Sequence, residues 1–190
     1  MSLLSWFLDL FRRNPSPEPD PAPGPLPDSI DETLRRLADR HNQHRKSLRL
    51  SVLAVEPRLQ AAAQKQADWC AKTRSVTHRG RGGSPLSARL REEGYAFRAG
   101  GENVAAGQRT VEAVFQAWLN SSGHRINIEA SVYSQFGLGL AYAGSTPYWC
   151  VTFGSPARSP AIGAAALTQP PPVVWTPPGI DDRDSMGSGA

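Results

Sequence analysis

Apolar positions recur with a helical period in four stretches of the chain and with a two-residue period in two more. Over residues 30–47, Ile30, Leu34, Leu37, Ala38 and His41 make a stripe that continues to Leu48, behind a capping Asp28 or Ser29, and this predicts a first helix. Pro57, tolerated in a first turn, precedes Leu59, Ala62, Ala63, Gln66, Ala67 and Cys70. These make a second helix whose small side chains permit close packing. Ser84 and Pro85 open a third helix, residues 85–93, which Gly94 ends. Thr110 caps a fourth with Val111, Val114, Phe115, Trp118 and Leu119 on its apolar face, and Gly123 is placed to stop it. Phe136, Leu138 and Leu140 alternate with Gly137, Gly139 and Ala141, and a β-branched and aromatic run over 148–153 follows a turn at Gly144, Ser145, Thr146 and Pro147. Both read as strands, with residues 103–106 as a short third. Helices bracketing a small antiparallel sheet predict an α+β domain, not a doubly wound α/β one.

Proline sets the boundaries of that domain. Of the 17 prolines, seven lie between Pro15 and Pro27 and seven between Pro156 and Pro178. Residues 28–154 are therefore the folded unit, long enough to bury a core. Residues 14–27 carry proline at every second position from Pro15, which predicts a semi-rigid polyproline II spacer. In front of it, residues 1–13 read as a short amphipathic helix: Leu3, Leu4, Trp6, Phe7, Leu8, Leu10 and Phe11 oppose Ser2, Ser5, Asp9, Arg12 and Arg13. It is too short to cross a bilayer and suits either a lipid interface, through residues 2–13, or docking on protein. Residues 155–190 are rich in Pro, Ala and Gly and are expected to be a mostly disordered tail, with Trp175 as its sizeable apolar side chain. No apolar run reaches membrane-spanning length, and the N-terminus lacks the pattern of a secretory signal.

Charge narrows the partners. The chain carries a formal +4, and residues 28–154 hold 17 basic against 11 acidic side chains. Most of the basic ones are single, scattered arginines, which make a solvated surface and lack the clustered footprint of a nucleic-acid binder; no nucleic-acid partner is expected. Two cysteines, Cys70 and Cys150, allow at most one disulfide. Placed within a helix and a strand, they read as buried packing or as a bonded pair, not as nucleophiles.

The four histidines divide by position. His41 and His44 lie on or beside the stripe of the first helix and read as structural imidazoles. His78, in the glycine-rich Thr77-His78-Arg79-Gly80, and His124, after Gly123, fall on connecting segments, where sites tend to be built. Glu102 follows Gly100 and Gly101, which would let the backbone turn and aim the carboxylate inward. Two imidazoles and a carboxylate suit either a divalent metal with open positions or an acid and base pair, although spacing alone does not bring residues 78, 102 and 124 together. No GxSxG, CxxC, HExxH or phosphate-binding loop is present.

Several segments carry a resemblance. They are His41-Asn42-Gln43-His44-Arg45 with the Ala-rich helix after Leu59, then Gly101-Glu102-Asn103-Val104-Ala105-Ala106-Gly107, then Trp118-Leu119-Asn120-Ser121-Ser122-Gly123-His124-Arg125-Ile126-Asn127-Ile128. With Phe136-Gly137-Leu138-Gly139 and Tyr148-Trp149-Cys150-Val151-Thr152-Phe153-Gly154, they resemble the CAP superfamily, the group of cysteine-rich secretory, antigen 5 and pathogenesis-related proteins, and especially its bacterial SCP-like branch. The resemblance covers residues 30–154 and implies an α-β-α sandwich crossed by a cleft in which two histidines and two glutamates hold a divalent cation. His78, Glu102 and His124 match three of the four positions, and the fourth is Ser121. It implies a binding or interaction module whose cleft takes zinc, another divalent cation or a small ligand. The alternative is a metal-assisted hydrolase of peptides or cell-wall material with Glu102 as general base. An extracellular or envelope-associated location is implied in the same way.

Overall fold

A computed structural model describes residues 29–157 and the backbone of Val173–Val174. The expected N-terminal helix (1–13), the spacer (14–27) and the rest of the tail lie outside the described residues. Helix α1 spans Ile30–Ser47, as the stripe predicts, with Ser29 accepting from the Glu32 amide, Asp31 and Glu32 in its first turn, and His44, Arg45 and Lys46 in its last. Those charges complement the helix dipole at both ends. Leu34, Leu37, Ala38 and His41 are buried, whereas Ile30 and Leu48 at the ends of the stripe are about half exposed. Arg45 takes the inward position near the C-terminus: its guanidinium donates to the carbonyls of Ser51, Ile128 and Ala130 and so ties three chain segments together.

Strand β1 (Ala54–Val55) leads into helix α2, Pro57–Thr73, with Glu56 at the N-cap and Pro57 in the first turn. Helix α3 is Leu86–Glu92, and Gly94 follows in the left-handed region at φ 71°. Strand β2 runs over Phe97–Ala106, longer than the expected 103–106 because Gly100 and Gly101 lie inside it and do not form a bend. Helix α4 is Val111–Asn120, capped by Thr110. A further helix, α5, covers Ser122–Glu129. The helical path breaks at Ser121 and not at Gly123, and His124, expected on a connecting segment, sits in the first turn of α5. Strands β3 (Gln135–Ala143) and β4 (Thr146–Pro156) form a hairpin, and β5 is Val173–Val174.

The sheet order is β1-β3-β4-β2-β5. Its centre, β3-β4-β2, is antiparallel as expected, but β1 and β5 add parallel pairs at the two edges, so the sheet is mixed. Two residues of the tail thus belong to the sheet.

Alternation along the strands sorts the core into two layers. Phe136, Leu138, Leu140, Trp149, Val151 and Phe153 pack with α1 and α4 on one face. On the other face α2 lies directly on the strands. A Cβ on Gly137 would overlap the Leu59–Gln60 peptide, and one on Gly139 would meet the Ala63 backbone. The Phe-Gly-Leu-Gly phrase therefore codes for an apolar layer above and a close helix below. Helices on both faces of a mainly antiparallel sheet make the α-β-α arrangement, and its site lies at β2.

Candidate functional site

Three consecutive residues of β2 serve different neighbours. Gly101 and Asn103 face α5: a Cβ at Gly101 would meet the Tyr133 hydroxyl and, at 2.7 Å, Asn127 Oδ1. Glu102 faces the opposite layer, 5% exposed. There Arg89, from α3, holds its carboxylate with a fork of two donors, Nη1 to Oε2 at 2.7 Å and Nη2 to Oε1 at 3.1 Å. His78, from the loop after α2, donates from Nδ1 to Oε1 at 3.0 Å, and the Cys150 thiol donates to Oε2 at 3.6 Å. Burial alone would raise the Glu102 pKa, but the charge of Arg89 and the hydrogen bonds from His78 and Arg89 outweigh it, and the carboxyl is held below its usual range.

Arg89 also fastens the loop that carries His78, because Nη2 donates to the His78 carbonyl at 3.1 Å. Gly80 makes this possible: a Cβ there would lie 2.7 Å from Arg89 Cδ. Gly82 and Gly83, at φ 67° and 76°, then turn the loop back toward α3. Because an ionised carboxylate only accepts, His78 Nδ1 carries a proton in the contact to Glu102. The His78 side chain is 29% exposed, so the ring reaches a solvent-open part of the site.

His124 approaches from α5. Its carbonyl accepts from Asn103 Nδ2 at 3.0 Å, while Asn127 Nδ2 donates both to the Glu102 carbonyl and to Asn103 Oδ1, at 3.1 and 2.9 Å. Burial, and then the nearby His78, lower its pKa to about 4, so the ring is neutral at pH 7. The structure therefore joins His78 to Glu102 directly and brings His124 within electrostatic reach of His78. It makes no hydrogen bond or ion pair between His124 and Glu102. Ser121 is the residue at which α4 gives way to α5.

Arg89 is the residue the sequence reading missed. A signal was present: Arg89 shares the Leu86 and Leu90 stripe of α3, and a cation on a buried stripe requires an anionic partner. Asn127, which locks α5 onto β2, carried no such signal. His41 is fully buried, its Nδ1 2.8 Å from the Leu37 carbonyl, and His44 Nε2 lies 3.0 Å from Glu129. Both are structural, as expected. Cys70 and Cys150 are free, buried thiols whose pKa is raised chiefly by burial, which argues against nucleophilic work.

The expected three-ligand metal set does not fit this geometry. Among the described residues no cluster of three or more His, Cys, Asp or Glu side chains is placed to hold a metal ion. Both Glu102 oxygens are engaged by Arg89, and the fourth family position carries a hydroxyl at Ser121. A Glu102 in this state has no free direction in which to act as general base on a water.

A family model described as the cysteine-rich secretory protein family, CAP, matches residues 38–153. The chain belongs to this family. The uncharacterised protein YkwD of Bacillus subtilis (strain 168) is 29% identical to the CAP domain over 120 residues, 63% of this chain and 46% of the relative. The chain thus spans about half the length of that curated relative. An outer surface protein of Borrelia burgdorferi superposes with a TM-score of 0.64 at 23% identity, covering 68% of this chain and 97% of that one. An extracellular SCP-domain protein of Bacillus anthracis str. Ames gives 0.58 at 24%, covering 67% and 44%. These likenesses establish the α+β CAP fold. No helix among the described residues is long and apolar enough to cross a membrane.

Proposed function

We propose that this CAP domain is a binding module whose site, formed by His78 and His124 over the Glu102–Arg89 pair, takes a small polar ligand without turnover. The carrying observation is the 3.0 Å contact between His78 Nδ1 and Glu102. It fixes the orientation of the His78 ring within electrostatic reach of His124, whose own ring is neutral at pH 7. Beneath them the Arg89 and Glu102 charges cancel. Imidazole nitrogens above an internally compensated ion pair favour a ligand rich in hydroxyl or amide groups. The hydrolase reading loses its base, since Glu102 is committed to Arg89 and His78. Relatives described as extracellular or outer-surface proteins support a location outside the cytoplasm. Residues 2–13, with their Trp and Phe, would then supply contact with a lipid surface.

Nuclear magnetic resonance of the full chain tests the site. A fragment panel of sugars, glycerol derivatives and short peptide amides should contain members that shift the His78 and His124 rings together with the Gly101, Glu102 and Asn103 amides. Those shifts should vanish in His78→Ala. A panel that moves none of these signals, or hits that persist in the variant, overturns the reading.

A further inference from the structure

The contacts of Glu102 point to a role for Arg89 beyond packing. We propose that Arg89 is the resident cation of this site: its guanidinium occupies the carboxylate that would otherwise ligate a metal, so the site is built to work without a divalent ion. The inference stands on the contacts of Glu102 alone and holds whether or not the ligand reading above survives.

A carboxylate offers about four lone-pair directions. At Glu102 each has a donor: Oε1 receives Arg89 Nη2 and His78 Nδ1, and Oε2 receives Arg89 Nη1 and the Cys150 thiol. A zinc ion bonds a carboxylate oxygen at about 2.0–2.2 Å and would have to displace one of these donors. It would also place its double charge against a guanidinium that cannot lose its proton.

Arg89 cannot swing aside to admit such an ion. It is 6% exposed, its Nη2 is spent on the His78 carbonyl, Gly80 closes over its stem, and its Nε is buried without a partner. An unpaired donor tolerated at that position indicates that the side chain is held by the fork to Glu102. In this arrangement Glu102 sits behind His78 as its orienting partner.

The proposal makes a gain-of-function prediction. Removing the guanidinium while keeping an unbranched side chain, Arg89→Met, frees two directions on Glu102 beside His78. Calorimetric titration of the full chain with zinc chloride at pH 7.5 should show at least tenfold tighter binding in Arg89→Met than in the natural sequence. The gain should disappear in the Arg89→Met, Glu102→Gln double variant. A folded Arg89→Met variant, judged by circular dichroism, that binds zinc no more tightly than the natural sequence overturns the proposal.

Zinc-soaked crystals of the unmodified chain give a reading that does not depend on the variant folding. Glu102 should remain on Arg89, with any ion resting on the imidazoles alone or absent. An ion ligated by Glu102 in that crystal refutes the assignment of Arg89.

Discussion

Lowering the pH below neutral should weaken this fold, and His41 supplies a calculable share. Its ring is enclosed by Phe115, Trp118, Phe136 and Phe153, with the Phe115 centroid 4.9 Å away, and its Nε2 is buried without a partner. Burial lowers its pKa from 6.5 to about 4, with the Leu37 carbonyl only partly opposing the shift. The unfolded chain therefore takes up this proton near pH 6.5 while the folded chain resists it until about pH 4. Between those values the unfolded state binds more protons, so stability is complete above the window and is lost as pH falls through it.

Integrated from pH 7.5 to 4.5, this one group removes about 2.5 kcal/mol of folding free energy. Urea unfolding of the full chain at those two pH values measures the total loss, to which His124, also lowered to about 4, contributes in the same window. His41→Phe isolates the term, since a phenyl ring keeps the aromatic enclosure and carries no titrating nitrogen. The variant should retain roughly 2.5 kcal/mol more of its neutral-pH stability at pH 4.5 than the natural sequence does. Equal losses in the two proteins would refute the reasoning.

Two further substitutions test the packing that positions the site. Gly139→Ala should destabilise the domain at the upper end of the ~1–3 kcal/mol typical of overpacking or beyond, because the new methyl meets helix backbone that cannot rotate away; thermal unfolding measures it. Asn127→Ala should cost about 2 kcal/mol by leaving the Glu102 carbonyl and Asn103 Oδ1 without their donor. Hydrogen exchange should then quicken across α5 while α2 stays protected, and uniform exchange in both helices would count against a local lock.

The elements best legible in the sequence are those whose period survives to the ends. Helix α1 has the predicted bounds because Ser29, the acidic first turn and the basic last turn all agree with the apolar stripe. β2 was cut short because Gly100 and Gly101 signal a turn locally. Their actual cause is tertiary: a Cβ at Gly100 would meet Leu90, and one at Gly101 would meet Tyr133 and Asn127. α5 was missed for a related reason. Asn120-Ser121-Ser122-Gly123 looks like a terminator, but Ser121 alone leaves the helical region, and a second helix starts at once. Strands β1 and β5, two residues each, are too short to leave a period. At the site, the pairing of His78 with Glu102 across 24 residues leaves no mark in their spacing; the resemblance alone groups residues 78, 102 and 124.

The register of β2 explains why a motif only three residues long identifies the site. Gly101 clears space for Tyr133 and Asn127, Asn103 holds the α5 turn that carries His124, and Glu102 between them receives Arg89 and His78 from the opposite layer. A slip of one residue would turn Glu102 against the Tyr133 and Asn127 side and present an uncharged amide to a buried guanidinium. It would leave Arg89 as an unpaired buried cation, a defect whose usual cost is several kcal/mol. The strand is therefore pinned by the same three residues that assemble the site. A substitution at any of them should disturb both strand β2 and the imidazoles, whereas changes at the exposed Ile30 or Leu48 should disturb neither.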